Sequence, residues 1–291
     1  MRTTSRPVVP RRAGHGRRAA AVGGNQAVRR AIAVLKSFGD QAPEMALGEL
    51  SRRVGLHKST AYRLLCAFED EGLIARNFET GRYRLGPELI VLGEQVLRQT
   101  GVRGVALPFL RDLAARTGER VDLEILSGAN VVTIEEIAGR HVVAATSVIG
   151  MPWAAHATSN GKVLLAHLGA ARQRRVLPRT LKRFTSRTIV DPVALARELE
   201  TVRAQGYAVS LGELEEHLVA IGCPIFARSG DVVAALSISG PDTRLTPDHV
   251  PGLVRLGLAA GARISARLGY AGAVAAGDAR RARPAPSAVA T

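Results

Sequence analysis

Apolar positions recur at helical spacing through the first third of the chain and crowd into strand-like runs through much of the rest. Val28, Ile32, Leu35 and Phe38 lie three and four residues apart, so Gln26–Phe38 reads as an amphipathic helix in a patterned segment that begins at Asn25. Gly39–Pro43 breaks it. Leu47, Leu50 and Val54 share one face of a second short helix over 47–54. Gly55 then supplies a turn, where a residue free to adopt positive φ is often needed. A third helix opens at Lys58 or Ser59 and runs to about Glu71, with Ala61, Leu64, Leu65 and Phe68 facing inward. Gly72 stops it. Leu73–Arg76 and Arg82–Leu85 are short strand-like runs around the turn-rich tip Asn77–Gly81. Helix, helix, turn, helix, hairpin is the order of a winged helix-turn-helix, expected over residues 25–86.

Pro87 starts a further helix through about Gln99, which makes 87–101 a linker helix. Residues 102–270 alternate helices with the apolar strands Val121–Leu126, Val131–Ile137 and Val232–Ser239, the pattern of an α/β domain. Residues 1–24 form an Arg-rich arm, and 271–291 are mainly Ala, Gly, Arg and Pro. Both are expected to be disordered. No run approaches the roughly 20 apolar residues of a membrane span. The arginine pairs at 11–12 and 17–18 are not followed by an apolar leader core, because Ala19–Val22 gives way to Gly23-Gly24. A cytoplasmic protein without a membrane partner is the expectation.

Composition sharpens this picture at three points. The chain has 291 residues, 46% hydrophobic and 22% charged, which suits two ordinary globular domains. Its net charge of +15 is unevenly placed: 16 Lys/Arg stand against 7 Asp/Glu in residues 1–86, but 21 against 17 in residues 87–270. The first third is therefore the region suited to a polyanion. The two cysteines, Cys66 and Cys223, have no metal-ligand spacing, so neither a metal site nor a disulfide framework is expected, and no cofactor is expected either. A nucleophilic Cys223 would need a base or a positive environment, and nothing in the sequence brings His217 within reach, so no catalytic residue is assigned.

Candidate DNA contacts cluster on the third helix and the hairpin. His57, Lys58, Ser59, Thr60, Tyr62 and Arg63 surround the start and outer face of that helix. Hydroxyls and backbone amides there suit phosphates, and Lys58 or Arg63 can address guanine edges. Arg82 and Arg84 alternate with Tyr83 and Leu85, so both leave one face of the wing. Such a unit is expected on double-stranded DNA as a dimer, at a palindromic or pseudo-palindromic operator.

Two segments of the second domain suggest a small-molecule pocket. Thr158-Ser159-Asn160-Gly161 opens the apolar helix Val163–Leu168. Its first amides can hold a carboxylate beside Lys162, or can simply be capped. Asp231–Ser239 reads as a strand buried on both faces, where the hydroxyls of Ser237 and Ser239 need partners, either a ligand or backbone carbonyls.

Ala31–Leu35, Leu47–Leu65, Gly81–Gly86, His156–Ala166, Ser237–Pro241 and Arg244-Leu245 resemble, in order, the IclR family of bacterial transcriptional regulators. The resemblance covers about residues 25–270. It implies an α+β protein, a winged helix-turn-helix followed by a GAF-like α/β effector-binding domain, that forms a homodimer or homotetramer. It also implies control of catabolic operons by small organic acids or aromatics. Positions matching Ser159, Asn160, Glu213, Cys223, Ser237 and Ser239 contact effector in the family. Trp153 stands where an aliphatic residue is common, which suggests a flat or ring-containing effector. The alternative is a GAF-like small-molecule-binding protein or enzyme without specific DNA binding, separated from the first reading by sequence-specific protection of DNA.

Overall fold

The computed structural model describes residues 16–272, apart from residue 40 and residues 141–148. Most of the arm (1–15) and nearly all of the tail (273–291) therefore lie outside the described residues. The chain forms two compact units that divide between Val96 and Leu97.

In the first unit, helix α1 spans Gly16–Leu35. Helical backbone thus begins upstream of Asn25, where the sequence suggested an arm. Arg17-Arg18-Ala19-Ala20-Ala21 are strong helix formers, and the glycines at 23 and 24 cost only about 1 kcal/mol each against alanine, too little to end a helix alone. Helices α2 (Leu47–Arg53) and α3 (Lys58–Asp70) flank a turn in which Gly55 takes φ +65°. Strands β2 (Ile74–Arg76) and β3 (Tyr83–Leu85) form the hairpin. Strand β1 (Glu44–Met45), which periodicity could not reveal in two residues, adds on the far side of β3. Val34, Phe38, Met45, Leu50, Ala61, Leu65, Ile74 and Tyr83 close one core. Helix α4 (Glu88–Thr100) follows, and it leaves Ile90, Val91, Leu92 and Val96 exposed.

Among the described residues, the second unit is built on a six-stranded sheet. Its strands are β4 (Arg120–Ser127), β5 (Asn130–Ile137), β6 (Pro152–Ala154), β7 (Ala208–Leu211), β8 (Leu218–Phe226) and β9 (Val232–Pro241), in the order β6-β5-β4-β9-β8-β7. Every pairing is antiparallel, so the unit is α+β in construction, with helices packed on both faces of the sheet. Helices α5 (Val102–Thr117) and α9 (Val250–Arg267) cover one face, over a core of Leu110, Leu123, Ile221, Cys223, Leu236, Ile238 and Ile264. Helices α6 (Ser159–Ala166) and α8 (Pro192–Gln205) cover some of the other, over Val131, Val163, Leu195, Leu199 and Ala235. The short helix α7 (Ala170–Val176) lies between them in sequence and buries no residue.

Candidate DNA interface and effector cavity

Helix α3 starts from His57, whose side chain makes no capping hydrogen bond. Ser59 and Thr60 therefore sit inside the first turn rather than capping it. His57, Lys58, Ser59, Tyr62 and Arg63 are exposed and Thr60 partly so, while Ala61 and Leu65 on the opposite side are fully buried. One face anchors the helix and the other presents donors. The two wing arginines are not equivalent. The Arg82 guanidinium donates to the Glu44 carbonyl at 3.1 Å and to Glu49 Oε2 at 2.8 Å, which ties the wing to α2. Arg84 is more exposed and, among the described residues, pairs with Glu44 Oε1 at a longer 3.9 Å. Arg84 is thus the more available to a phosphate.

The second unit holds a cavity of about 620 Å³ on the α6 face of its sheet. Antiparallel pairing places cross-strand partners on the same face. Asp122 faces Ser237, and Ser237 faces Gly222; Arg120 faces Ser239, Ser239 faces Ala220, and Ala220 faces Ser210. These rows form the floor. Trp153 of β6 and Ser159 at the start of α6 add to the wall.

Of the residues singled out from sequence, Trp153, Ser159, Ser237 and Ser239 line this cavity. Asn160 stands behind it and donates from Nδ2 to Ser237 Oγ at 3.0 Å. Two others lie elsewhere. Cys223 pairs with Leu236, one step out of phase with Ser237, so it points into the α5/α9 core with none of its surface exposed. Burial pushes its thiol up to about 12, which leaves no thiolate for nucleophilic chemistry. Glu213 is absent from the cavity wall because Lys162 engages it, Nζ to Oε1, at 2.5 Å. Lys162 is 1% exposed and also reaches Glu198 Oε1 at 3.1 Å.

The α6 start is built by close backbone approach. Gly161 packs against the backbone of Ala155, and a Cβ on Gly222 would lie 2.7 Å from the Ser159 carbonyl carbon. The Thr158 hydroxyl accepts from the Gly161 amide at 3.1 Å, so one first-turn donor is already capped. Gly161→Ala is expected to destabilise the unit by about 1–3 kcal/mol through overpacking against backbone that cannot yield. A urea midpoint equal to that of the parent chain would show that the contact relaxes freely.

Sequence reading missed the carboxyls beneath. Asp122 and Glu124 on β4 are 5% and 6% exposed, and both line the cavity. Burial pushes Asp122 up to about 6, against the pull of Arg120 Nε at 2.8 Å. Burial, helped by the neighbouring Asp122, pushes Glu124 up to about 7, although it accepts from Thr133 Oγ1 at 3.1 Å. Glu119 is held by Arg244 in a two-bond fork of 2.6 and 2.7 Å. A usable signal did exist. Acidic residues at alternate positions of the apolar run Val121-Asp122-Leu123-Glu124-Ile125 mark one polar face in an otherwise buried strand.

Among the described residues, no cluster of His, Cys, Asp and Glu is arranged to hold a metal, and no helix is long and apolar enough to cross a membrane.

Residues 27–77 match the model of the IclR helix-turn-helix domain, and residues 94–266 match that of the bacterial transcriptional regulator IclR C-terminal domain. The chain is 36% identical over 246 residues to the HTH-type transcriptional regulator XynR of Escherichia coli (strain K12), covering 84% of this chain and 98% of that protein. It is 31% identical over 238 residues to the transcriptional repressor IclR of the same organism, covering 80% and 86%. Among solved structures, an IclR transcriptional regulator from Alicyclobacillus acidocaldarius superposes with a TM-score of 0.72 at 30% identity, over 84% of this chain and 99% of that one. An IclR homolog from Microbacterium hydrocarbonoxydans, complexed with 4-hydroxybenzoate, gives 0.71 at 30% identity, over 83% and 98%. With both domain models matched in order, the exposed basic face of α3 falls in the helix-turn-helix and the cavity in the C-terminal domain: this chain is a DNA-binding transcriptional regulator of the IclR family.

Proposed function

We propose that this chain is a one-component switch: α3 of each protomer in a dimer reads half of a pseudo-palindromic operator, and a small molecule in the second-unit cavity sets the affinity for that operator. The observation that carries the reading is a polar-floored cavity of about 620 Å³ in the same chain as a winged helix-turn-helix. The size suits a metabolite. His57, Lys58, Ser59, Thr60, Tyr62 and Arg63 supply the groove contacts, and Arg84 a phosphate contact beside them. Arg82 serves chiefly to brace the wing. The exposed Ile90, Val91, Leu92 and Val96 of α4 support self-association, since apolar side chains gathered on one helix gain by covering each other.

Of the two effector classes that the family resemblance implies, the ring-containing one has the better support, because Trp153 lines the cavity. The relative complexed with 4-hydroxybenzoate supports an aromatic framework of that size. Control of a catabolic operon and cytoplasmic residence accompany this reading. Effector binding shifts DNA affinity only by its differential affinity for two arrangements of the dimer, a coupling of about 1–3 kcal/mol, and operator DNA changes effector affinity by the same factor.

Footprinting on the DNA upstream of its own or a neighbouring gene tests the reading, with a protected, two-fold site expected. Arg63→Ala is expected to relax or weaken specific binding, whereas Arg84→Ala weakens binding to all sequences alike. Affinity is expected to fall about 10³–10⁵-fold between 50 and 200 mM salt if 6–10 phosphates are neutralised. Equal affinity for every duplex would reject sequence-specific control, and an unchanged shift for Arg63→Ala would remove that residue from the interface.

A further inference from the structure

The cavity wall carries an excess of carboxyl groups. Glu119, Asp122, Glu124, Glu215 and Glu216 line it against Arg120, Arg244 and His217. The two guanidinium groups and the imidazole are already engaged. Arg244 forks Glu119, and Arg120 donates to Asp122 at 2.8 Å while reaching Glu136 Oε2 at 3.4 Å. His217 Nδ1 lies 2.9 Å from Asp242 Oδ2. A free carboxylate seeking one of these cations would have to break up its pair, and it would face the remaining acids. The two acids on the floor are differently placed. Asp122 is bounded by Arg120 on its own strand, Glu136 on β5 and Ser239 on β9, whose hydroxyl donates to Oδ2 at 3.4 Å. Glu124 is bounded by Asp122, Thr133 and Asn160, and its hydrogen bonds come from neutral donors, with Arg120 acting on it only weakly. Trp153 adds an aromatic face in the same wall, to which a cation is attracted.

We propose that the cavity recognises a small molecule through a protonated nitrogen set against Asp122 and Glu124, and discriminates against free carboxylates. This rests on the cavity being the effector site, and it replaces an organic acid with an amine-bearing effector. The raised carboxyls support it, because a cation bound between them favours their ionised forms. Binding then releases protons, and amine affinity rises with pH as Asp122 and Glu124 ionise near 6 and 7.

Matched probes test the charge rule on the full-length chain by isothermal titration calorimetry. Tyramine and histamine carry an ammonium where 3-(4-hydroxyphenyl)propanoate and 3-(imidazol-4-yl)propanoate carry a carboxylate. Each amine is expected to bind about 10–100-fold more tightly than its partner, the range of one buried charge-assisted contact. That preference is expected to grow between roughly pH 5 and 8. Glu124→Gln keeps the shape, removes the charge, and is expected to erase most of the preference. Asp122→Asn is the second variant, with far-UV circular dichroism verifying that each is folded. Carboxylates binding as tightly as amines, no saturable amine binding, or a preference untouched in both folded variants would each overturn the proposal. Operator protection without ligand is read separately, so a chain that footprints normally yet prefers carboxylates loses only this inference.

Discussion

Lys162→Ala is expected to lower the stability of the second unit by about 3–5 kcal/mol, the usual consequence of removing one partner from a buried ion pair. The ammonium is 1% exposed and is held by Glu213 from the segment after β7 and by Glu198 of α8. Without it, Glu213 keeps a buried carboxylate whose Oε2 already lacks a partner. Burial holds that carboxyl above its ordinary range even with the ammonium beside it, so most of the loss comes from the stranded acid rather than from the missing bond. The double variant Lys162→Met with Glu213→Gln is therefore expected to recover most of the stability. Urea unfolding of the three proteins measures it. A single variant within about 0.5 kcal/mol of the parent would show that the pair is solvated and not a buried strut.

Glu124→Gln is expected to stabilise the chain at pH 8, by on the order of 3 kcal/mol, and hardly at all near pH 4.5. The folded state raises this carboxyl from 4.5 to about 7, so it holds the proton more tightly than the unfolded chain does. Stability from this group is therefore full below about 4.5 and is lost as pH climbs through 7. Glutamine has no proton to lose. The gap between the two proteins should open across that window, superposed on a smaller trend of the same sign from Asp122, which moves from 3.8 to about 6. Denaturation midpoints at pH 4.5, 6 and 8 decide it. A constant gap at all three would mean that Glu124 is ionised and satisfied throughout.

Both predictions concern groups that a linear reading places poorly. The first unit was largely legible, because its elements are local. Three- and four-residue spacing fixes α2 and α3, Gly55 marks the turn, and alternation around Tyr83 marks the wing. The difference there was the start of α1, which extends upstream of Asn25 into the segment expected to be a disordered arm. In the second unit the strands β4, β5 and β9 were found within one or two residues of their ends. What they pair with was not, since the register that joins β4 to β9 links residues more than a hundred positions apart.

By itself the sequence determined the order of the helices and hairpin of the first unit, the basic face of α3 and the existence of a polar set on β9, because each follows from periodicity within one segment. Only the tertiary structure decided which of those polar groups share a cavity. Side-chain direction alternates with every residue of a strand, so a single step of register sends Ser237 toward α6 and Cys223, next to its partner Gly222 on β8, into the opposite core. The same register sets Asp122 opposite Ser237. Burial then changes what those acids are, raising their proton affinity above that of an exposed carboxyl.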